Sequence, residues 1–229
     1  MEQLTFELAA AEPPSFANFL PGHNTEVVTT LERAAKGELA ETGVLMWGAP
    51  GSGRSHLLRA AVAGARGRPA LYHADPAEVP RDPPGPAALV AVDDIDMADK
   101  DAQGRLFTLF NQLRDTGGML IAAASMPPGR LSLRDDLRTR LGWGLVYELL
   151  PLGDADKPRA LARYAEERGF RLSDDVIAYL LAHGRRDMTT LVGTLAALDR
   201  YSLAAKKPIT VPLLREWLQR GLPLGAIPR

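Results

Sequence analysis

At 229 residues with 46% apolar side chains, the chain is long enough for one large domain or two small ones and too apolar for a disordered one. The formal net charge of −1 gives no reason to expect a surface built for nucleic acid, and the absence of cysteine excludes a disulfide framework and cysteine-ligated zinc. The first residues, MEQLTF, lack the basic-then-apolar order of a signal peptide, and no run nears the roughly 18 apolar residues of a membrane span, so a cytoplasmic protein is expected.

In chain order, residues 1–14 read as a tail ending in Glu12-Pro13-Pro14. Residues 25–36 place Val27, Val28, Leu31, Ala34 and Ala35 close to helical spacing, and Gly37 ends that helix. Val44 to Trp47 is a first strand and 55–66 a helix. Residues 70–73 give a second strand, and five prolines in 76–86 leave room for a loop with at most one helical turn. The unbroken apolar runs 87–92 and 119–124 are typical of strands buried on both faces. Between them 105–115 is amphipathic, with Leu106, Leu109, Phe110 and Leu113 on one side. Residues 145–149 make a fifth strand. Strands alternating with helices predict an α/β fold with a parallel sheet. After Pro151 only helices follow, at 154–168, 173–183, 187–204 and 210–220, with Ser173 and Thr210 as N-caps.

The stretch Gly48-Ala49-Pro50-Gly51-Ser52-Gly53-Arg54-Ser55 joins the first strand to the next helix. It is a phosphate-binding loop pattern in its required context, with arginine where lysine is usual. Glycines let the loop turn tightly and aim its N–H groups at an anion, and the helix behind adds the positive end of its dipole. Ser55 has the hydroxyl that such loops place on Mg²⁺. About 40 residues on, Asp93-Asp94 closes a buried strand. Asp93 is a candidate Mg²⁺ ligand, and Asp94, one residue later, a candidate for orienting an attacking water. Both could instead cap the next helix. His23, His56, His73 and His183 show no metal-ligand spacing.

Taken with Ser125 after a strand, Arg140 in Arg-Leu-Gly-Trp-Gly, and Arg186 in Arg-Arg-Asp-Met, these motifs stand in the order of an AAA+ ATPase. The Arg-Leu-x-Trp-Gly run resembles the DnaA-like branch. The Gly-Arg-Ser-His-Leu-Leu run from Gly53 to Leu58 is similar to the Hda group of DnaA regulatory inactivators, and the likeness covers nearly the whole chain. The resemblance implies a tail (1–14), an AAA+ P-loop domain with a parallel sheet (15–150) and a small all-helical lid (151–229). By it, Gly48, Pro50, Gly51, Ser52, Gly53, Arg54, Ser55 and His56 form the nucleotide loop, holding ADP or ATP with Mg²⁺ on Ser55 and Asp93. Ser125 stands at the sensor 1 position, or is a strand-end turn residue. Arg186 stands at the sensor 2 position of the lid. Arg140 fills the arginine-finger position, acting on a neighbouring subunit's nucleotide, and Trp143 beside it reads as core. Residues 16–22 fit the stretch that passes the adenine.

Two departures stand out. Arg54 keeps the charge of the usual lysine but is bulkier and planar, so diphosphate binding can survive where hydrolysis suffers. The proline-rich 76–86 segment is short for the helix that usually joins the second and third strands. In the tail, Gln3, Leu4, Phe6 and Leu8 read either as an alternating first strand or as a peptide similar to the bacterial motif that binds the polymerase sliding clamp DnaN. The chain ends at Arg229, where initiators continue into a DNA-gripping helix-turn-helix, so no DNA-binding domain is expected. The implied function is replication control: clamp docking and stimulation of ATP hydrolysis by DnaA, with a homo-oligomer also possible. The alternatives are an autonomous ATPase of the helicase-loader or remodelling type, and a nucleotide-dependent adaptor without catalysis.

Overall fold

The computed structural model describes residues 13–184 and 187–219. Two units separate between Leu152 and Gly153.

The first unit is a five-stranded parallel sheet with helices on both faces. In chain order it runs α1 (Thr25–Lys36), β1 (Gly43–Trp47), α2 (Arg54–Gly64), β2 (Ala70–His73), β3 (Leu89–Val92), α3 (Lys100–Asp115), β4 (Met119–Ala124), α4 (Asp135–Gly142) and β5 (Leu145–Glu148). The strand order is β2-β3-β4-β1-β5, every pairing parallel. Period-two alternation divides the strand residues between two cores. Leu45, Val90, Val92, Leu120, Ala122 and Ala124 face α3 and α4, while Val44, Met46, Leu89, Ala91, Ile121 and Ala123 face α1 and α2. The register pairs Trp47 with Ala124 and Ala122 with Val92, which brings the carboxyl ends of β1, β3 and β4 to one edge. Ligands of open α/β sheets bind at such an edge.

Several boundaries differ from the sequence expectation. The third helix starts at Lys100 rather than 105, because Asp99 caps it by accepting the Ala102 N–H at 2.7 Å. Residues 135–142, not anticipated as helical, form α4, whose first turn carries Asp135 and Asp136. Between β2 and β3 there is one 3₁₀ turn, Pro76–Glu78, as the prolines require. Asn24 sits at the N-cap of α1 but makes no capping bond. Its amide instead donates to the Leu150 carbonyl and accepts the Leu150 N–H, both at 2.8 Å, tying the end of the fifth strand to the first helix.

The second unit holds α5 (Lys157–Glu167), α6 (Asp174–His183), α7 (Met188–Ala205) and α8 (Val211–Gln219). They close over Leu161, Val176, Leu180, Leu195, Leu198, Leu214 and Trp217. Thr210 Oγ1 accepts the Leu213 N–H at 3.4 Å, as its cap position predicts. Ser173 occupies the cap position of α6 without a side-chain bond, so the expected N-cap interaction there is absent. No described helix is long and apolar enough to cross a membrane.

Candidate functional site

The loop after β1 is shaped by two glycines. Gly53 has φ +100°, a left-handed conformation at the very start of α2, and a Cβ there would meet Phe19 Cε2 at 2.6 Å. At Gly48 a Cβ would stand 2.4 Å from the Leu149 carbonyl oxygen and 2.9 Å from Ser52 Oγ. The backbone therefore passes too close to its surroundings for any side chain. No side chain caps α2, so the N–H groups of its first turn point into the loop without a capping acceptor. Ser52 Oγ and Arg54 Nη1 are buried with no hydrogen-bond partner. Orphaned donors, an uncapped helix start and a close-passing glycine backbone together fit a polyphosphate.

Arg54, the departure from lysine, reaches across to the acidic pair. Its Nη2 lies 3.4 Å from Asp94 Oδ1, with side-chain exposures of 12% and 49%. Asp94 takes the left-handed backbone (φ 42°, ψ 47°) at the start of a 3₁₀ turn, Ile95–Met97. Burial first, then the Asp93 charge, push its carboxyl above the ordinary range, and Arg54 opposes them without cancelling.

Asp93 is buried, and both its oxygens are engaged. Oδ1 accepts the Asp94 N–H at 3.0 Å and Oδ2 accepts the Tyr72 hydroxyl at 3.2 Å. Tyr72, on β2, is itself covered by Arg59 at 4.9 Å from the ring centre. Sequence reading gave Tyr72 no role; only its place at the end of the neighbouring strand signals it. Among the described residues no three His, Asp or Glu side chains gather into a set able to hold a metal by themselves. Mg²⁺ takes only one or two protein oxygens beside phosphates and water, so Asp93 with the exposed Ser55 fits that ion.

Ser125 is already occupied. Its Oγ donates to Asp96 Oδ2 at 2.6 Å and its N–H to Asp96 Oδ1 at 3.1 Å. Burial raises the Asp96 carboxyl, and the Ser125 bonds outweigh it, leaving the group below the usual carboxylate range. Nothing in the Asp93-Asp94-Ile95-Asp96 run singles out Asp96, because its contact depends on the 3₁₀ turn that swings it toward β4. His56 bonds the Ser15 carbonyl at 3.0 Å and packs against Phe19, ring centres 5.3 Å apart. It ties α2 to the 15–22 segment. Phe16 and Phe19 of that segment pack into the core against α2.

Arg140 lies on α4. It makes no ion pair among the described residues, while its neighbours do: Arg134 binds Asp136 at 2.6 Å and Arg138 binds Asp135 at 2.5 Å. Arg140 rests on two rings, 4.4 Å from the centre of Trp143 and 5.7 Å from that of Phe107. Trp143, expected in the core, is 64% exposed, because α4 ends at Gly142 and presents the indole outward. Arg186 and the tail residues Gln3, Leu4, Phe6 and Leu8 lie outside the described residues.

The model of the bacterial DnaA ATPase domain matches residues 86–148, and that of the Hda lid domain matches 154–218. Domain III of the replication initiation protein DnaA of Thermotoga maritima shares the fold at a TM-score of 0.77 and 19% identity, covering 91% of this chain and 97% of that one. AMPPCP-bound DnaA of Aquifex aeolicus aligns at 0.68 and 21%, over 82% of this chain and 65% of that chain. The RuvB branch-migration motor of Thermotoga maritima aligns at 0.71 and 17%, over 91% and 72%. With a DnaA ATPase model matching 86–148 and an Hda lid model matching 154–218, on an AAA+ fold, this chain is an Hda/DnaA-like AAA+ protein.

Proposed function

We propose that this protein is a regulator of replication initiation that acts in trans on nucleotide bound by DnaA. Residues 48–55 and Asp93 hold its own ADP or ATP with Mg²⁺, a nucleotide class supported by the AMPPCP bound to the DnaA of Aquifex aeolicus. The phosphates supply the oxygens that complete the Mg²⁺ shell. Glycine backbone and the start of α2 receive the anion, and Arg54 and Ser52 offer buried donors to it. The tail carrying Gln3, Leu4, Phe6 and Leu8 tethers the protein to the sliding clamp DnaN. Arg140 then brings its charge to the ATP of a DnaA molecule, where an arginine finger is worth about 10³–10⁵ in rate. Hydrolysis leaves DnaA inactive.

The carrying observation is that Arg140, beside the acid-paired Arg134 and Arg138, makes no ion pair among the described residues and rests on ring faces. An arginine committed to a carboxylate on its own surface would first have to lose that partner. The self-paired Arg54–Asp94 contact supports slow turnover by the protein alone, since the acid that could orient water is held by the loop cation.

The test is a turnover assay with the protein alone, with DnaA, and with DnaA and DNA-loaded clamp. Slow hydrolysis alone and fast hydrolysis in the full mixture are expected. Arg140→Ala is expected to abolish stimulation while ADP affinity by calorimetry stays within about two-fold, since the residue stands on α4 against Trp143 and Phe107 and not in the loop's sequence. Deleting residues 1–8 removes the clamp's contribution. Fast hydrolysis by the protein alone would replace this reading with an autonomous ATPase, and no hydrolysis in any mixture would leave a nucleotide-dependent adaptor.

A further inference from the structure

We infer that Trp143 is a positioning residue for Arg140: its exposed indole holds the guanidinium extended and unpaired, ready for an anionic phosphate carried by a second protein. This rests on the action in trans proposed above.

A 64% exposed tryptophan is the costliest side chain to leave in water, and of the three in the chain it is the one so placed. Trp217 is 2% exposed and Trp47 packs against the sheet core. The backbone of Trp143 is pinned by the last turn of α4, its N–H shared between the Thr139 carbonyl at 3.1 Å and the Arg140 carbonyl at 3.2 Å. Arg140 and Trp143 are three residues apart, so both project from one side of the helix. The guanidinium lies 4.4 Å from the indole centre, within cation–π range, and Phe107 of α3 flanks it at 5.7 Å.

Competition for Arg140 is local. Asp135 and Asp136 begin the same helix, and either could neutralise a freely swinging arginine. Asp136 is held by Arg134 and Asp135 by Arg138, which leaves the rings as the partners of Arg140. A ring face attracts the cation but supplies no hydrogen-bond acceptor. All five guanidinium donors therefore stay available to phosphate oxygens, and the side chain gives up rotamer freedom before the partner arrives.

The test pairs fluorescence with kinetics. Iodide is drawn to a cation, whereas acrylamide is not, so Arg140→Ala is expected to lower iodide quenching of tryptophan emission about two-fold without lowering acrylamide quenching. Trp143→Phe should remove most of the iodide-sensitive emission and identify its source. In the DnaA-stimulation assay with clamp, Trp143→Leu is expected to lower maximal stimulation about three- to ten-fold, the range a lost ring contact and a misplaced charge supply. The half-saturating concentration stays within about two-fold, because the ring prepares the charge and does not carry the docking. Trp143→Phe keeps a ring and recovers most of the stimulation. Equal iodide quenching in wild type and Arg140→Ala would overturn the pairing. Full stimulation by Trp143→Leu, beside an inactive Arg140→Ala, would overturn this inference alone. Full stimulation by Arg140→Ala would overturn the finger assignment and the inference with it.

Discussion

Arg54 and Arg140 sit on the same α/β unit and carry the same charge, yet their surroundings are opposite. Arg54 is almost buried, bonded to Asp94, and has one nitrogen with no partner at all. Arg140 is half-exposed, rests on two rings and makes no ion pair among the described residues. A buried cation beside carboxylates serves the interior: it balances charge and waits for an anion to enter. A partly solvated cation on aromatic faces can leave for a surface that is not its own. The fold places one cation beside the loop at the carboxyl edge of the sheet and the other on α4.

The sharpest break between the two regions comes from Gly48→Val. The Cβ would be driven into the Leu149 carbonyl oxygen, a backbone atom that cannot rotate away. We expect no measurable ADP binding by calorimetry, with about 1–3 kcal/mol lost from stability in urea. Circular dichroism should still show the folded α/β signal. Iodide quenching at Trp143 should not change, since a Cβ at 48 meets Leu149 and Ser52, whereas Arg140 rests on Trp143 and Phe107. ADP affinity near wild type would mean the loop does not hold phosphate.

Ser125→Ala probes the bond between the acidic turn and the end of β4 at smaller cost. It removes the hydroxyl donor to Asp96 and leaves that half-buried carboxylate with one N–H bond. A hydrogen bond to a charged group is worth about 1.5–3 kcal/mol, and that loss of stability is expected at pH 7. The sign with pH follows from the depressed Asp96 carboxyl. A carboxylate favoured in the fold contributes stability above its unfolded value and loses it as pH falls through the lower folded value. The gap between wild type and Ser125→Ala should therefore narrow below about pH 4, where Asp96 protonates first in the unfolded chain. A gap that persists to pH 2 would show that Ser125 stabilises by packing alone.

The two regions were not equally legible in the sequence. The loop could be read residue by residue, because glycine spacing between a strand and a helix has few other uses. Its partners could not: Tyr72 and Asp96 reach Asp93 and Ser125 only through parallel pairing of distant strands and a 3₁₀ turn. On the other side, the motif around Arg140 is legible and its surroundings are not. Tryptophan buries more often than not, which made Trp143 look like core. Nothing local announced α4, where two aspartates and no apolar stripe beyond Leu137 and Leu141 make a short helix. Nor does composition reveal which of Arg134, Arg138 and Arg140 lacks an acid among the described residues, since that depends on Asp135 and Asp136 each reaching a particular neighbour.

The smallest effect is expected from Arg54→Lys, and it tests why the loop cation is an arginine. The planar fork reaches Asp94 at 3.4 Å, a loose contact beside a half-exposed carboxylate, so its loss should cost no more than about 1 kcal/mol. Lysine is a point charge on a flexible stem and can still meet phosphate, so ADP affinity should change by only about two- to three-fold. What changes is Asp94. Freed of the fork, its carboxylate becomes available to water at the acidic edge, and turnover by the protein alone should rise several-fold. Asp94→Asn in the same background should erase the gain, because the amide cannot accept a proton. Turnover that stays at the wild-type level in Arg54→Lys, or a gain that survives Asp94→Asn, would show that the arginine does not hold the acid in check. The contrast with Arg140 would then be one of exposure and not of function.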